Sequence, residues 1–202
     1  MRVEHKAYSA GMVKLSFWFA EFRKVVGLLS RGKTIPEIKL LNQTENIFSA
    51  PTAARAVQIF NTVSKRVQAL DRSVYPIFEQ SDIATQKLIA LIAIMQSDVL
   101  FFDFMVEVFR EKLILGIEEL ADSDVAVFFN AKQRQSEQVA KWEDYTLKRL
   151  GTCYKTMLLE AGLIDRSTGT RKMLKPVLDH ALEEWLKSNG MQTVLIVLTG
   201  VR

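Results

Sequence analysis

The sequence predicts a mainly α-helical protein, a multi-helix bundle with helix-turn-helix character and a small C-terminal β-hairpin that makes its end winged-helix-like. Three observations carry this. Apolar residues recur at helical spacing in almost every segment, and helix-start and helix-stop residues fall at the ends of those segments. One stretch, "AGLIDRSTGTRKMLKP" (161–176), instead joins an apolar pair, an uncharged turn and a run of positive charge. With 202 residues, 49% of them hydrophobic, the chain can bury a sizeable core.

The elements follow in order. Val13, Phe17, Ala20, Val25, Leu28 and Leu29 predict a helix over 10–30, ended by Gly32. Thr34, three residues before Glu37 and with Pro36 in the first turn, has the capping-box spacing and predicts a short helix to about Leu41, after which "NQTENIFS" reads as a turn. Ser49 and Pro51 start a helix over 52–70 whose apolar stripe is Ala56, Ile59, Phe60, Val63, Val67 and Leu70. Asp82 caps a helix through Met95, and Ser97 or Asp98 caps one to Leu115 before Gly116. Phe101, Phe102, Phe104, Met105, Val108 and Phe109 occupy nearly every side of that helix, so it is expected to be central. Asp122 or Ser123 starts the next, and a helix over 144–161 carries Leu147, Leu150, Tyr154, Met157 and Leu158 inward before Gly162 stops it. Leu163 and Ile164, the turn "STGT" and "RKML" predict a hairpin over 163–174, and a helix from near Pro176 to Ser188 follows. The β-branched tail "TVLIVLTGV" suits a further strand.

Net charge is only +4, but it is unevenly distributed. Residues 1–72 hold 12 Lys or Arg against 5 Asp or Glu, 73–131 hold 3 against 10, and 132–202 hold 12 against 8. This divides the chain into a basic N-terminal helical region with a candidate helix-turn-helix, an acidic helical core and a C-terminal winged-helix-like region. Basic ends suit a polyanion, although charged helix faces are more often simply solvated.

The candidate DNA-binding residues lie at both ends. The outward side of the 144–161 helix carries Lys148, Arg149, Thr152, Lys155 and Thr156, and the hairpin carries Arg166, Arg171, Lys172 and Lys175 with one carboxylate nearby in sequence, Asp165. A helix with a basic, Thr-bearing face followed by a basic-tipped hairpin is the order in which a helix enters the major groove and a wing touches phosphates. Arg55, Lys65 and Arg66 on the 52–70 helix are the N-terminal candidates. The bland alternative for the hairpin is a surface turn with incidental basic residues.

Nothing in the sequence supports catalysis. No dinucleotide fingerprint, phosphate-binding P-loop, nucleophile elbow or zinc-protease motif occurs, and the histidines are His5, at the terminus, and His180, on or beside the packing face of its helix. Cys153, the single cysteine, excludes an intramolecular disulfide, fits a reducing compartment and reads as a small buried apolar group. Asp103, Glu107 and Glu111 fall on one helix face, where carboxylates without a nearby histidine are more often an exposed stripe or partners for basic neighbours than metal ligands, so no metal or cofactor is expected. The N-terminus resembles neither a signal nor a transit peptide. No apolar run reaches the roughly 18 to 20 residues of a membrane span, so a cytoplasmic protein without membrane contact is expected.

"YSAGMVKLSFWFAEFRKVVGLLSRGKTIPEI", "ENIFSAPTAARAVQIFNTVSKRVQAL", "KLIALIAIMQSDVLFFDFMVEVFREKL" and "TLKRLGTCYKTMLLEAGLI", in this order, resemble the BrxA family of BREX bacteriophage-exclusion systems over almost the whole chain. The resemblance implies a small, non-enzymatic component of a bacterial defence locus that also encodes a methyltransferase and large ATPases. It further implies a double-stranded DNA binder with helix-turn-helix character, in a fold likened to RNA-binding antitermination proteins. Duplex DNA, held through phosphate contacts, and other BREX proteins are then the expected partners. An RNA-binding helical protein and an assembly scaffold whose acidic middle docks basic partners are the alternatives.

Overall fold

The computed structural model describes residues 7–166 and 168–201, and the chain in it is mainly α-helical with a small antiparallel pairing of strands. It forms two compact units. One is Trp18–Ser97, and the other combines the residues up to Phe17 with those from Asp98 onward. The charge segments 1–72, 73–131 and 132–202 do not coincide with these units, because packing sets the unit boundaries. Sorted by unit, residues 18–97 hold ten Lys or Arg against six Asp or Glu, whereas the other unit balances at seventeen each.

The 18–97 unit contains α1 (Phe19–Ser30), α2 (Ile35–Glu45), α3 (Ala53–Gln68), α4 (Val74–Gln80) and α5 (Ile83–Ser97). The expected 10–30 helix starts only at Phe19, because Trp18 sits at φ 53° and ψ 50°, a left-handed conformation that no continuing helix tolerates. Before it, Gly11–Lys14 form a 3-10 turn belonging to the other unit. The capping box is present: Thr34 N–H donates to Glu37 Oε2 at 2.7 Å and Glu37 N–H to Thr34 Oγ1 at 3.4 Å. α2 runs four residues past Leu41, so the first half of the expected "NQTENIFS" turn is helical. Asn46 ends it at φ 46° and exchanges two hydrogen bonds with Ala50. α3 is capped by Thr52 rather than Ser49, and its stripe from Ala56 to Leu70 is buried as expected. Asp82 caps α5, accepting from Thr85 N–H at 2.7 Å.

The other unit opens with α6 (Val99–Phe104), capped by Asp98, which continues through a π-helical turn (Met105–Arg110) into α7 (Glu111–Leu115). Gly116 stops it at φ 68°. There follow β1 (Glu119–Leu120), α8 (Asp122–Gln135), the short α9 (Glu137–Ala140), α10 (Asp144–Glu160), β2 (Arg171–Lys172), α11 (His180–Ser188) and α12 (Gln192–Thr199). Phe101, Phe104, Phe128, Phe129 and Tyr154 pack ring against ring at centroid distances of 5.0–6.4 Å, so the expectation that α6 is central holds within this unit. The tail is helical, contrary to the strand expected from its β-branched content. Val194, Val197 and Leu198 repeat at helical spacing and are buried, and such packing outweighs β-propensity. The helix expected from near Pro176 begins at His180, where Asp179 accepts from Ala181 N–H at 2.8 Å; His180 itself is exposed.

α8 and α10 approach so closely that a Cβ on Gly151 would lie 2.7 Å from Cγ1 of Val125, a side chain too stiff to move aside. A Gly→Ala change inside a helix gains about 0.5–1 kcal/mol, but overpacking costs about 1–3 kcal/mol. Gly151→Ala should therefore lower stability by about 1–2 kcal/mol, measured as a lower urea midpoint; a stabilised variant would show that α8 and α10 can part without loss.

A candidate nucleic-acid interface

The site is built around α10. Its inward positions Leu147, Leu150, Tyr154, Met157 and Leu158 are buried, which turns Lys148, Arg149 and Thr152 outward, all exposed. Among the described residues Lys148 forms no ion pair. Arg149 donates to Tyr145 Oη at 3.2 Å and to the Val13 carbonyl at 3.3 Å, contacts that orient the guanidinium without neutralising it. Thr152 caps its own helix turn, Oγ1 donating to the Lys148 carbonyl at 3.1 Å. Lys155 is different, because its Nζ lies 2.6 Å from Asp122 Oδ1 and its side chain is largely covered. Between α8 and α10 runs a groove of about 520 Å³ with Val125, Phe129, Leu147 and Gly151 in its wall and Asp122, Lys148 and Lys155 at its rim.

The expected 163–174 hairpin exists as a bridge between Ile164 and Met173, with Leu174 N–H donating to the Leu163 carbonyl at 2.8 Å and Asp165 N–H to the Lys172 carbonyl at 3.1 Å. Gly169 takes φ 71° in its turn, and Ser167 lies outside the described residues. The sequence reading missed β1, which pairs antiparallel with β2 so that Glu119 faces Lys172 and Leu120 faces Arg171. The return strand is thereby flanked on both sides.

That pairing changes the charge of the hairpin. Where the sequence shows one neighbouring carboxylate, the fold adds Glu118 and Glu119, and both line a 250 Å³ hollow with Asp165, Arg166 and Lys172. Arg166 donates to Asp165 Oδ2 from Nε and from one terminal nitrogen at 3.0 and 2.7 Å, and this guanidinium holds the Asp165 carboxyl below its ordinary range. Lys172 Nζ lies 3.6 Å from Glu118, while Lys175 is exposed with no ion pair among the described residues.

Two candidate residues are corrected outright. Arg171 is 1% exposed, its guanidinium reaching Asp122 Oδ1 at 3.0 Å and the Leu120 carbonyl at 3.4 Å. It anchors the return strand and is not presented to a ligand. Arg66 is 3% exposed, with its guanidinium 5.8 Å from the Trp18 ring centroid. Arg55 lies over the same ring at 4.9 Å and donates to Gln58 Oε1, half-buried, so Lys65 alone of the N-terminal candidates is fully exposed. A strand-period Arg at 171 and a stripe position at 66 could have signalled burial, since each falls in phase with buried apolar neighbours.

Asp122 was expected only as a helix-starting residue. Ala121 occupies the cap position, its N–H donating to Asp124 Oδ2 at 2.7 Å, which frees the Asp122 carboxylate to join Lys155 of α10 to Arg171 of β2. The Lys155 hydrogen bond, reinforced by Arg171, depresses the Asp122 carboxyl. Cys153 is half-buried and burial raises its thiol, which keeps it protonated and unreactive at neutral pH. Among the described residues no group of three or more His, Cys, Asp or Glu could hold a metal ion, and no single helix is long and apolar enough to cross a membrane. Two of the three carboxylates on the α6–α7 face, Asp103 and Glu107, hold the ammonium of Lys132 at 2.8 and 2.6 Å.

The fold recurs in a crystal structure of an uncharacterized protein from Magnetospirillum magneticum, with a TM-score of 0.81 at 18% identity over 97% of this chain and 100% of that one. In sequence the chain is 36% identical over 198 residues to the BREX protein BrxA of Bacillus cereus (strain H3081.97), covering 98% of this chain and 99% of the relative. It is 25% identical over 158 residues to the BREX protein BrxA of Escherichia coli O9:H4 (strain HS), covering 78% and 73%. Residues 6–190 match the BrxA family, and the chain belongs to that family.

Proposed function

We propose that this chain is a non-enzymatic component of a BREX phage-defence system that binds duplex DNA in the bacterial cytoplasm, holding it mainly through phosphates. The defence role is supported by its BREX-named relatives. The DNA reading rests on one observation: α10 turns Lys148, Arg149 and Thr152 outward within the element order helix (α7), short strand (β1), helix (α8), one-turn helix (α9), helix (α10), hairpin, where the return strand pairs with β1. With α9 in the turn, that order resembles the winged form of a helix-turn-helix, in which the last helix before the hairpin enters the major groove, and this likeness supports the reading. Lys148, Arg149, Thr152, Lys175 and Lys65 are the contacts this reading favours. Arg166, Lys172 and Lys155 reach phosphate only by leaving their carboxylates, and Arg55 only by leaving Trp18.

Affinity for duplex DNA should fall linearly with salt on logarithmic axes, with a slope of about 0.9 per phosphate neutralised, and scrambled duplexes of one length should bind within about tenfold of one another. Lys148→Ala with Arg149→Ala should weaken binding about ten- to a hundredfold and reduce that slope by about one per lost contact. A flat salt response, or unchanged binding by the double variant, overturns the assignment.

One observation favours RNA instead. Tyr145, 64% exposed, lies beside Arg149 with its ring centroid 5.8 Å from the guanidinium, an arrangement on which an unstacked base can lie. Competition among duplex DNA, single-stranded DNA and RNA at fixed salt decides between the two, and on the RNA reading Tyr145→Ala should weaken single-strand binding more than duplex binding. Pull-down with the other proteins of the locus tests an assembly role.

A further inference from the structure

Two features of the Asp98–Arg202 unit fit one another, and the nucleic-acid reading uses nothing of either beyond Lys175. The first is a groove of about 280 Å³ where α7 and the π-helical turn lie against α8. Val108, Phe128 and Ala131 contribute to its apolar wall. Two large aliphatic side chains at its edge, Leu115 and Val127, are 66% and 67% exposed. Glu107 and Glu111 also line it, paired with Lys132 and Arg110 but each with about half of its side chain in solvent, and Lys112 and Asp124, paired with one another at 2.8 Å, complete the lining. π-helical turns are rare and frequently mark functional positions, and this one supplies Glu107 and Val108 to the groove.

The second feature is the extended segment between β2 and α11. Val177 is 90% exposed and Leu174 38%, flanked by Lys175, which has no ion pair among the described residues, and by Lys172. A rigid proline, Pro176, precedes the valine and limits the entropy lost when the segment docks.

We infer that the groove of one copy receives the Leu174–Val177 segment of a second copy, so that the chain self-associates head to tail. Val177 and Leu174 enter the apolar groove between Leu115 and Val127, and Lys175 meets Glu107 and Glu111. Charge complementarity selects this occupant: the groove lining holds Glu107, Glu111 and Asp124 against Lys112, a net acidic set, and the segment is basic and apolar. The contact is heterologous, since knob and groove are different surfaces, and therefore propagates instead of closing on itself as a two-fold dimer does. It is small by the standard of stable interfaces, so the association is weak and concentration-dependent.

Sedimentation of the full chain without nucleic acid, over a wide concentration series, tests this. The weight-average mass should rise past that of a dimer. Val177→Asp and Val127→Lys, both at exposed positions whose helix content by circular dichroism should not change, should each remain monomeric alone. Mixed in equal amounts they should form a dimer and nothing larger, because each then supplies the one surface that the other lacks. A wild type that stays monomeric throughout overturns the inference. So does either variant that still associates alone, or a mixture that stays monomeric.

Discussion

Lys132→Met should destabilise the Asp98–Arg202 unit by about 2–4 kcal/mol, one of the largest losses available from a single polar residue here. The ammonium is 3% exposed and donates to Asp103 Oδ2 at 2.8 Å, Glu107 Oε1 at 2.6 Å and Tyr8 Oη at 3.3 Å, while Tyr8 Oη donates to Asp103 at 2.6 Å. Burial works to lower the Lys132 ammonium, but the two carboxylates outweigh it and hold it above its ordinary value. Methionine matches the stem and removes the charge, leaving two carboxylates close together with no counter-ion. Both keep some contact with water, which is why the expected loss lies below that of a fully buried broken pair.

The sign of the pH dependence follows. A folded-state value above the unfolded one contributes stability fully present below about pH 10.4, and lost as pH rises through the raised folded value. The penalty of Lys132→Met should accordingly be constant through neutral pH and shrink in strong alkali. Replacing Asp103 and Glu107 by Asn and Gln in the same chain should recover much of the loss, since a neutral set no longer repels. Hydrogen exchange gives a second readout, because Tyr8 is held by this cluster and by Gln138 Nε2 donating to its carbonyl at 2.7 Å. Residues 7–17 should exchange faster in the variant. An unchanged urea midpoint together with unchanged exchange would show the cluster to be incidental.

The sequence announced this cluster only in part. Asp103, Glu107 and Glu111 were legible as one helix face, either an exposed stripe or a set of partners for basic neighbours, because i, i+4 spacing is a local property. That Lys132 supplies the partner was not, since nothing local ties α8 to α6. The same division runs through the fold. Thr34 with Glu37, Asp82, Asp98, Gly116 and Gly162 marked helix ends correctly, as each acts on backbone groups within four residues of itself. The start of α1 was misplaced because the left-handed turn at Trp18 has no residue-type signal, tryptophan being among the least expected there. β1 was invisible at two residues long. Its absence from the sequence reading is what made the hairpin look basic, since Glu118 and Glu119 arrive only through pairing across some fifty positions. Arg66 and Arg171 were misread for a related reason: charge counts do not distinguish an arginine on a buried face from one in solvent.

Leu163→Asp should cost more than about 4 kcal/mol, enough to unfold the hairpin and the end of α10 with it. Leu163 is 0% exposed, directly follows the left-handed Gly162 that stops α10, and its carbonyl accepts from Leu174 N–H at 2.8 Å. An aspartate there would bury an unpaired charge, and Arg171 and Lys155 of the same unit are already committed to Asp122. Thermal unfolding should show the loss directly, and duplex binding should disappear with the fold. Arg166→Ala with Lys172→Ala is the opposite case. Both side chains are exposed and face Asp165 and Glu118, so the melting temperature should barely move. If the hairpin contributes phosphate contacts, that pair should lower the salt slope by about one to two phosphates at unchanged stability. Should the slope stay the same while Lys148→Ala with Arg149→Ala reduces it, the hairpin is an anchored turn beside α10 and the DNA lies along the helix alone.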